Sequence, residues 1–291
     1  MAKTRFDIAK KDIASYFESN PSKIYTFNDV SEVFKKNRQF WRLPVGLTVH
    51  RFIDLLKAKT KVKEFRFEFP TIALSRYTWG EMPILSIILT LKPEAYFSHY
   101  TAMYIHELTE QMPRSIFLNF EQQQHLSSGG PLEQGNIDKA FSRPPRVTNT
   151  IANIADYTVY LLNGKYTGRL GVIDYHDSAK NTLYVTNTER TLIDITVRPT
   201  YSGGISEVLK AYERAAGKVS INKLSAMLAD LNYIYPYHQA IGFYLERAGV
   251  YKKAQIDLMD QFEKKYDFYL THQMKGAEYS KKWKLYYPKD F

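Results

Sequence analysis

Three places along the chain carry residue types that enzymes use, and spacing tests each of them. The segment RPTYSGGISEVLK sets Gly203-Gly204 directly before an amphipathic run, as a phosphate-cradling loop would. Such a loop needs a Lys-Ser/Thr pair behind its glycines to reach the phosphates and magnesium, and here Ile205, Ser206 and Glu207 follow. A dinucleotide fingerprint needs three spaced glycines after a strand, whereas this pair follows a helical pattern. The pair therefore reads as a turn that uses glycine's freedom at positive φ and feeds a helix. HELTE (106–110) opens like a metalloprotease helix, but the second ligand position holds Glu110 and leaves His106 alone. Asp174 and Glu189 invite a metal-dependent nuclease. Glu189 is followed by Arg190 and Thr191, where a Glu-x-Lys on a neighbouring strand is needed. No Gly-x-Ser-x-Gly elbow occurs, and the lack of cysteine removes thiolate chemistry, disulfides and Cys-based zinc sites together. The expectation is a protein that is not an enzyme and uses no metal or cofactor.

Charge placement says more. The net charge is +10, from 40 Lys/Arg against 30 Asp/Glu. Residues 1–79 hold 16 against 8, or +8, which leaves 24 against 22, or +2, for residues 80–291. A basic segment joined to a near-neutral one points to nucleic acid at one end of the chain.

The elements that would carry that charge follow from periodicity. Ala9, Ile13, Tyr16 and Phe17 share one helical face. Thr26 and Asp29 have the spacing of a capping box, and the helix behind them buries Val30, Val33 and Phe34. After the polar stretch NRQFWRLPVG, a third helix, LTVHRFIDLLKAK, sets Val49, Phe52, Ile53 and Leu56 on one side. Two extended runs follow, KVKEFRFEF and TIALSRYTW, the first setting Val62, Phe65, Phe67 and Phe69 against Lys61, Lys63, Arg66 and Glu68. Three helices and a β-hairpin are the order of a winged helix-turn-helix, whose third helix enters the major groove while the wing lies along the phosphates. The stretch between helices two and three is longer than a tight turn. On this reading residues 1–79 form a basic DNA-binding domain. Arg42, Thr48, Arg51, Lys57, Lys61, Lys63 and Arg66 face duplex DNA.

Residues 83–291 form the second expected domain, after a short GEMP linker. PILSIILTL (83–91) reads as a buried strand and is far too short to span a bilayer. A helix follows over 96–110, then a strand at 115–121 and a long polar loop over 122–147. A strand at 157–162 turns at Asn163-Gly164 as a hairpin, and further strands fall near RLGVIDY and TLYVTN. From about 188 to 266 the pattern is helical, with Ser220 as an N-cap, Pro236 near a helix start and Gly249 near its end. The tail KKWKLYYP adds an edge strand. The expected fold is α+β, an N-terminal winged helix-turn-helix followed by a larger mixed α/β domain ending in a helical region. The charged N-terminus lacks an apolar signal segment, so the expected place of work is the cytoplasm, away from membranes.

The block NTERTLIDITVRPTYSGGISEVLKAYERA resembles the signature of the AbiEi-type antitoxins of abortive-infection toxin–antitoxin systems. There a Glu-Arg-Thr-Leu-hydrophobic-Asp run precedes a Tyr-Ser/Ala-Gly-Gly turn and a helix. The matching residues are Glu189, Arg190, Thr191, Leu192, Asp194, Tyr201, Gly203 and Gly204. A second block, residues 95–118, is similar to the family's helix-then-strand through Ser98, His99, Gln111 and Pro113, and AIGFYLERAG (240–249) fits as a third. The resemblance implies an N-terminal winged helix that binds operator DNA, inverted repeats among its forms, and represses its own operon. It also implies a C-terminal domain that neutralises a cognate nucleotidyltransferase-like toxin, by direct contact or by antagonism at a shared target. The long connection between helices two and three departs from the pattern, and residues 1–79 match only in outline. DNA specificity stays open on that account.

The signature also has a reading from its residues alone. Arg190 and Asp194 stand one helical turn apart and can pair, with Thr188 as a cap, which favours a structural hinge over a site. Two other function classes remain, an RNA-binding interaction protein and a metal-dependent nuclease. A single-strand RNA reader would expose stacking aromatics on a sheet, whereas helix-plus-wing order favours duplex DNA.

Overall fold

The computed structural model describes residues 3–124, 131–177 and 180–291, which divide into two compact units. One holds the residues up to Lys92 together with 150–156, and the other holds 93–149 and 157–291. The architecture is α+β. The boundary expected at 79–83 lies later, and one distant strand belongs to the first unit.

Helices and strands are numbered along the chain. The first unit runs α1 (Arg5–Ser19), β1 (Ile24–Tyr25), α2 (Phe27–Asn37), α3 (Val49–Lys59), β2 (Val62–Glu68), β3 (Ala73–Trp79) and α4 (Ile84–Leu89), with β6 (Ile151–Ile154) against β2. Capping boxes start α1 and α2: the Asp29 N–H donates to Thr26 Oγ1 at 3.2 Å, and the Thr26 N–H donates to Asp29 Oδ2 at 2.7 Å. β1, β3 and β2 form an antiparallel sheet in that order. The core gathers Ile13 and Phe17 from α1, Val30 and Phe34 from α2, Phe52 and Leu56 from α3, and Trp79 from β3. Phe17 stacks on Trp79 with centroids 5.2 Å apart.

Residues 83–91, expected as a strand, form helix α4 instead. A short apolar run bounded by proline fits either element, and here Ile87 and Ile88 are fully buried on a single turn and a half. The buried Arg76 of β3 fixes it in place. Its Nε donates to Thr90 Oγ1 at 2.9 Å and its Nη2 to the Thr90 carbonyl at 2.7 Å. That contact carries the first unit beyond residue 83.

The second unit runs β4 (Tyr96–Phe97), α5 (His99–Ile105), β5 (Ser115–Glu121), α6 (Gln134–Phe141), β7 (Tyr157–Gly164), β8 (Val172–His176), β9 (Thr182–Thr186), α7 (Thr188–Val197), α8 (Ile205–Ala215), α9 (Ile221–Leu231), α10 (Tyr237–Arg247), α11 (Lys253–Asp260), β10 (Phe268–Tyr269), β11 (Ala277–Ser280) and β12 (Leu285–Pro288). Five of its strands lie in the order β7-β5-β4-β9-β8. β5 pairs in parallel with β7, and β4 with β9. Leu192, Ile193 and Ile195 of α7 are fully buried in a core shared with α5, α8, α9 and α10.

Three further expectations change here. Asn163 and Gly164 lie inside β7 rather than in a hairpin turn, because β7 meets β5 in parallel and a parallel neighbour requires a crossover. The polar loop over 122–147 contains α6, held by Ile137 and Phe141, while 125–130 lies outside the described residues. The helical region stops with α11, and the chain ends on a small sheet. In it β12 is the central strand, between β10 and β11, rather than an edge.

Candidate nucleic-acid interface

Helix α3 turns Phe52, Ile53 and Leu56 into the core of its unit and leaves Arg51, Asp54 and Lys57 exposed on the other side. Thr48 starts the helix, its Oγ1 accepting the Arg51 N–H at 3.3 Å. That gives Thr48, expected on the DNA face, a capping role. In β2 Lys63 and Arg66 are exposed while Val62 and Phe67 are buried, and Lys61, just before the strand, is exposed too.

These cations are not bare. Lys57 pairs with Glu64, Lys63 with Glu81, Lys61 with Glu18 at 3.0 Å and Arg66 with Glu68 at 3.0 Å. Burial works against the Glu64 charge, but the Lys57 ammonium and the Ser75 hydroxyl, 3.0 Å away, hold its carboxyl below the usual range. Charge counting does not reveal such pairing, because the partners come from α1, β2 and the segment after β3. Exposed pairs contribute only about 0–1 kcal/mol, so Lys61, Lys63 and Arg66 can exchange their carboxylates for another anion at little cost, while Lys57 is tied to the half-buried Glu64. The side chains of Arg42 and Arg51 have no hydrogen-bond or ion-pair partner among the described residues.

The long connection between α2 and α3 is an ordered clasp. Arg38 Nη2 donates to the Pro44 carbonyl at 2.6 Å, the Leu43 N–H donates to the Arg38 carbonyl at 3.0 Å, and Trp41 and Leu43 are buried. Arg42 takes φ +50° within it, and Phe40 and Val45 point outward at 74% and 91% exposure. Sequence periodicity gave no sign of this exposed apolar pair.

The signature block of the second unit is buried machinery of a different kind. Asn187, not Thr188, caps α7, its Oδ1 accepting the Arg190 N–H at 2.8 Å. Arg190 Nε donates to Asp194 Oδ1 at 2.8 Å, and its Nη1 donates to the Leu170 carbonyl at 2.7 Å. Glu189 accepts the Ser220 N–H at 3.0 Å, tying α7 to the start of α9, and Thr191 is hydrogen-bonded to Thr186. Tyr201 accepts the Thr148 N–H at 2.7 Å. Gly203 and Gly204 take φ +79° and +91°, the left-handed turn expected of them. Arg190, Asp194 and Tyr201 also line a cavity of about 330 Å³.

The remaining chemical candidates separate. His106 Nε2 donates to the Thr186 carbonyl at 2.6 Å, and Glu110 pairs with Arg214 at 2.7 Å. Asp174 is exposed on β8, while Glu189 is engaged at α9. Among the described residues no group of three or more His, Cys, Asp or Glu side chains could hold a metal ion, and no helix is long and apolar enough to cross a membrane.

No known family description matches the sequence, and no curated protein matches it. Among solved structures the chain is similar to the RV2827C protein from Mycobacterium tuberculosis. The two are 11% identical with a TM-score of 0.63, over 96% of this chain and 91% of that one. At that identity the likeness shows the fold alone.

Proposed function

We propose that this chain is an antitoxin-like transcriptional regulator without enzymatic activity. Its first unit acts as a winged helix-turn-helix on duplex operator DNA and represses the protein's own operon. Its second unit neutralises a cognate nucleotidyltransferase-like toxin in the cytoplasm. The observation that carries the DNA half is α3: its apolar face is spent on the core, and the unpartnered Arg51 stands on the opposite face. The order α1-β1-α2-α3-β2-β3 supports it, as do the outward cations of β2. The toxin half rests on the signature resemblance in α7 and the turn behind it.

A titration of the full chain on duplexes from its own upstream region and on random duplexes, at several salt concentrations, tests this. Log affinity should fall with log salt by ~0.9 per phosphate contact. Lys63→Ala should weaken binding to all duplexes alike and lower that slope by ~1. Arg51→Ala should cost ~1–3 kcal/mol of sequence discrimination, as loss of a guanine-edge contact would. If neither substitution changes affinity for any duplex, the basic face is only a solvated surface. Tighter binding to single-stranded RNA than to any duplex would move the assignment to RNA.

A further inference from the structure

The cavity beside the signature pair lies wholly within the second unit, where the parallel strands β5 and β7 end side by side. The crevice outside the carboxyl ends of parallel strands is where α/β sheets receive ligands. Its lining contains four cations, Arg146, Lys165, Arg190 and Arg198, against one carboxylate, Asp194. Arg190 and Asp194 satisfy each other, which leaves three cations without a carboxylate in the lining. Arg146, Lys165 and Arg198 are exposed at the rim. Lys165 Nζ donates to the Leu231 and Asn232 carbonyls at 2.8 and 2.9 Å, and Arg198 Nη1 donates to the Arg146 carbonyl at 2.8 Å, so protein bonds orient two of the three while further donors stay open.

Two buried polar residues line the same cavity. Asn119 of β5 is 6% exposed, and its carboxamide has no hydrogen-bond partner among the described residues. Gly164 of β7 leaves room for it, since a Cβ there would stand 2.6 Å from Asn119 Oδ1. His99 is 8% exposed, sits at the start of α5 with φ +52°, and has its Nδ1 2.8 Å from Ser98 Oγ. A buried non-glycine residue in that backbone region is strained, and strain of this kind gathers at ligand sites. The carboxamide opens onto the cavity, so its donors and acceptor are available to a ligand there.

We propose that this cavity binds a small phosphate-bearing molecule, the phosphate held by Arg146, Arg198 and Lys165 and the neutral portion hydrogen-bonded by Asn119. A phosphate dianion suits three open cations, and guanidinium forks match its geometry. The volume lies near the small end of ligand pockets, which fits a mononucleotide-sized phosphate ester rather than a larger molecule. This inference does not depend on the DNA reading.

The test is calorimetric titration of the full chain, at constant ionic strength, with adenosine monophosphate, adenosine and inorganic phosphate. Saturable binding of adenosine monophosphate at one site per chain is expected, with adenosine weaker by about ten-fold or more. Arg146→Glu reverses a rim charge whose side chain has no hydrogen-bond or ion-pair partner among the described residues. Asn119→Ala removes a carboxamide that makes no hydrogen bond among the described residues. Each should weaken binding by about ten-fold or more. Arg51→Ala, in the other unit, should leave it unchanged. Equal affinity for inorganic phosphate and the nucleotide would identify the anion itself as the ligand and keep the rim assignment. The proposal is overturned if neither phosphate species binds saturably, if Arg146→Glu binds as tightly as wild type, or if Arg51→Ala abolishes binding too.

Discussion

A buried guanidinium is costly unless its donors are answered, and Arg190 has several of them answered. Its side chain is 5% exposed and that of Asp194 7%. Burial disfavours the charge, but the adjacent carboxylate outweighs it and holds the Arg190 pKa above its ordinary value. The second bond, to the Leu170 carbonyl, clamps α7 to the segment before β8, where Thr167 also meets Glu121. Arg190→Ala should therefore lower stability by about 3 kcal/mol, chiefly through the stranded Asp194 carboxylate. Replacing both residues with apolar ones of similar volume should recover much of that loss. Urea unfolding of the single and double variants measures both. Unchanged stability in Arg190→Ala would remove the structural role and make the pair a site. The i,i+4 spacing made this pair legible in the sequence, whereas Leu170, Thr167 and the residues that share its cavity come from distant segments.

At the scale of elements, what was legible is what is local. The Thr26–Asp29 box, the Ser220 cap and the glycine at the end of α10 each depend on neighbours within a few residues. The misread elements depend on partners. The end of the helix within 83–91 is anchored by Arg76 reaching Thr90, and the end of β7 follows its parallel pairing with β5. Two predictions belong to this scale. A fragment ending at residue 80 leaves the Arg76 guanidinium without Thr90, so it should unfold at lower urea than one ending at residue 92. Equal midpoints would mean that α4 adds nothing to the first unit. Gly242 of α10 admits Trp283, and a Cβ there would lie 2.2 Å from the indole ring. Gly242→Ala should cost about 1–3 kcal/mol by overpacking, visible as a lower melting temperature.

Across the whole molecule, buried and half-buried histidines set the response to acid. Burial pushes the His99 and His238 pKa values down to about 4, and those of His106 and His272 move the same way. In the unfolded chain a histidine titrates near 6.5. Above that pH neither state binds the proton, so these residues leave stability unchanged. As the pH falls from 6.5 towards 4, the unfolded chain takes up protons that the folded chain refuses, and stability drops. At pH 5 the linkage amounts to about 2 kcal/mol for each of His99 and His238, a large share of a stability of about 5–15 kcal/mol. Carboxylates held low, such as Asp7 at about 2, begin to act only below about pH 5 and add little between pH 7 and pH 5. His238 offers the cleanest check. Its Nε2 has no hydrogen-bond partner among the described residues, and its ring stacks on Phe262 at 5.2 Å. His238→Phe keeps the ring and removes the titration. It also loses a backbone hydrogen bond to Glu263, so some stability should go at pH 7. The difference in unfolding free energy between pH 7 and pH 5 should nevertheless shrink by about 2 kcal/mol. A pH dependence as steep in the variant as in the wild type would assign the acid sensitivity to other groups.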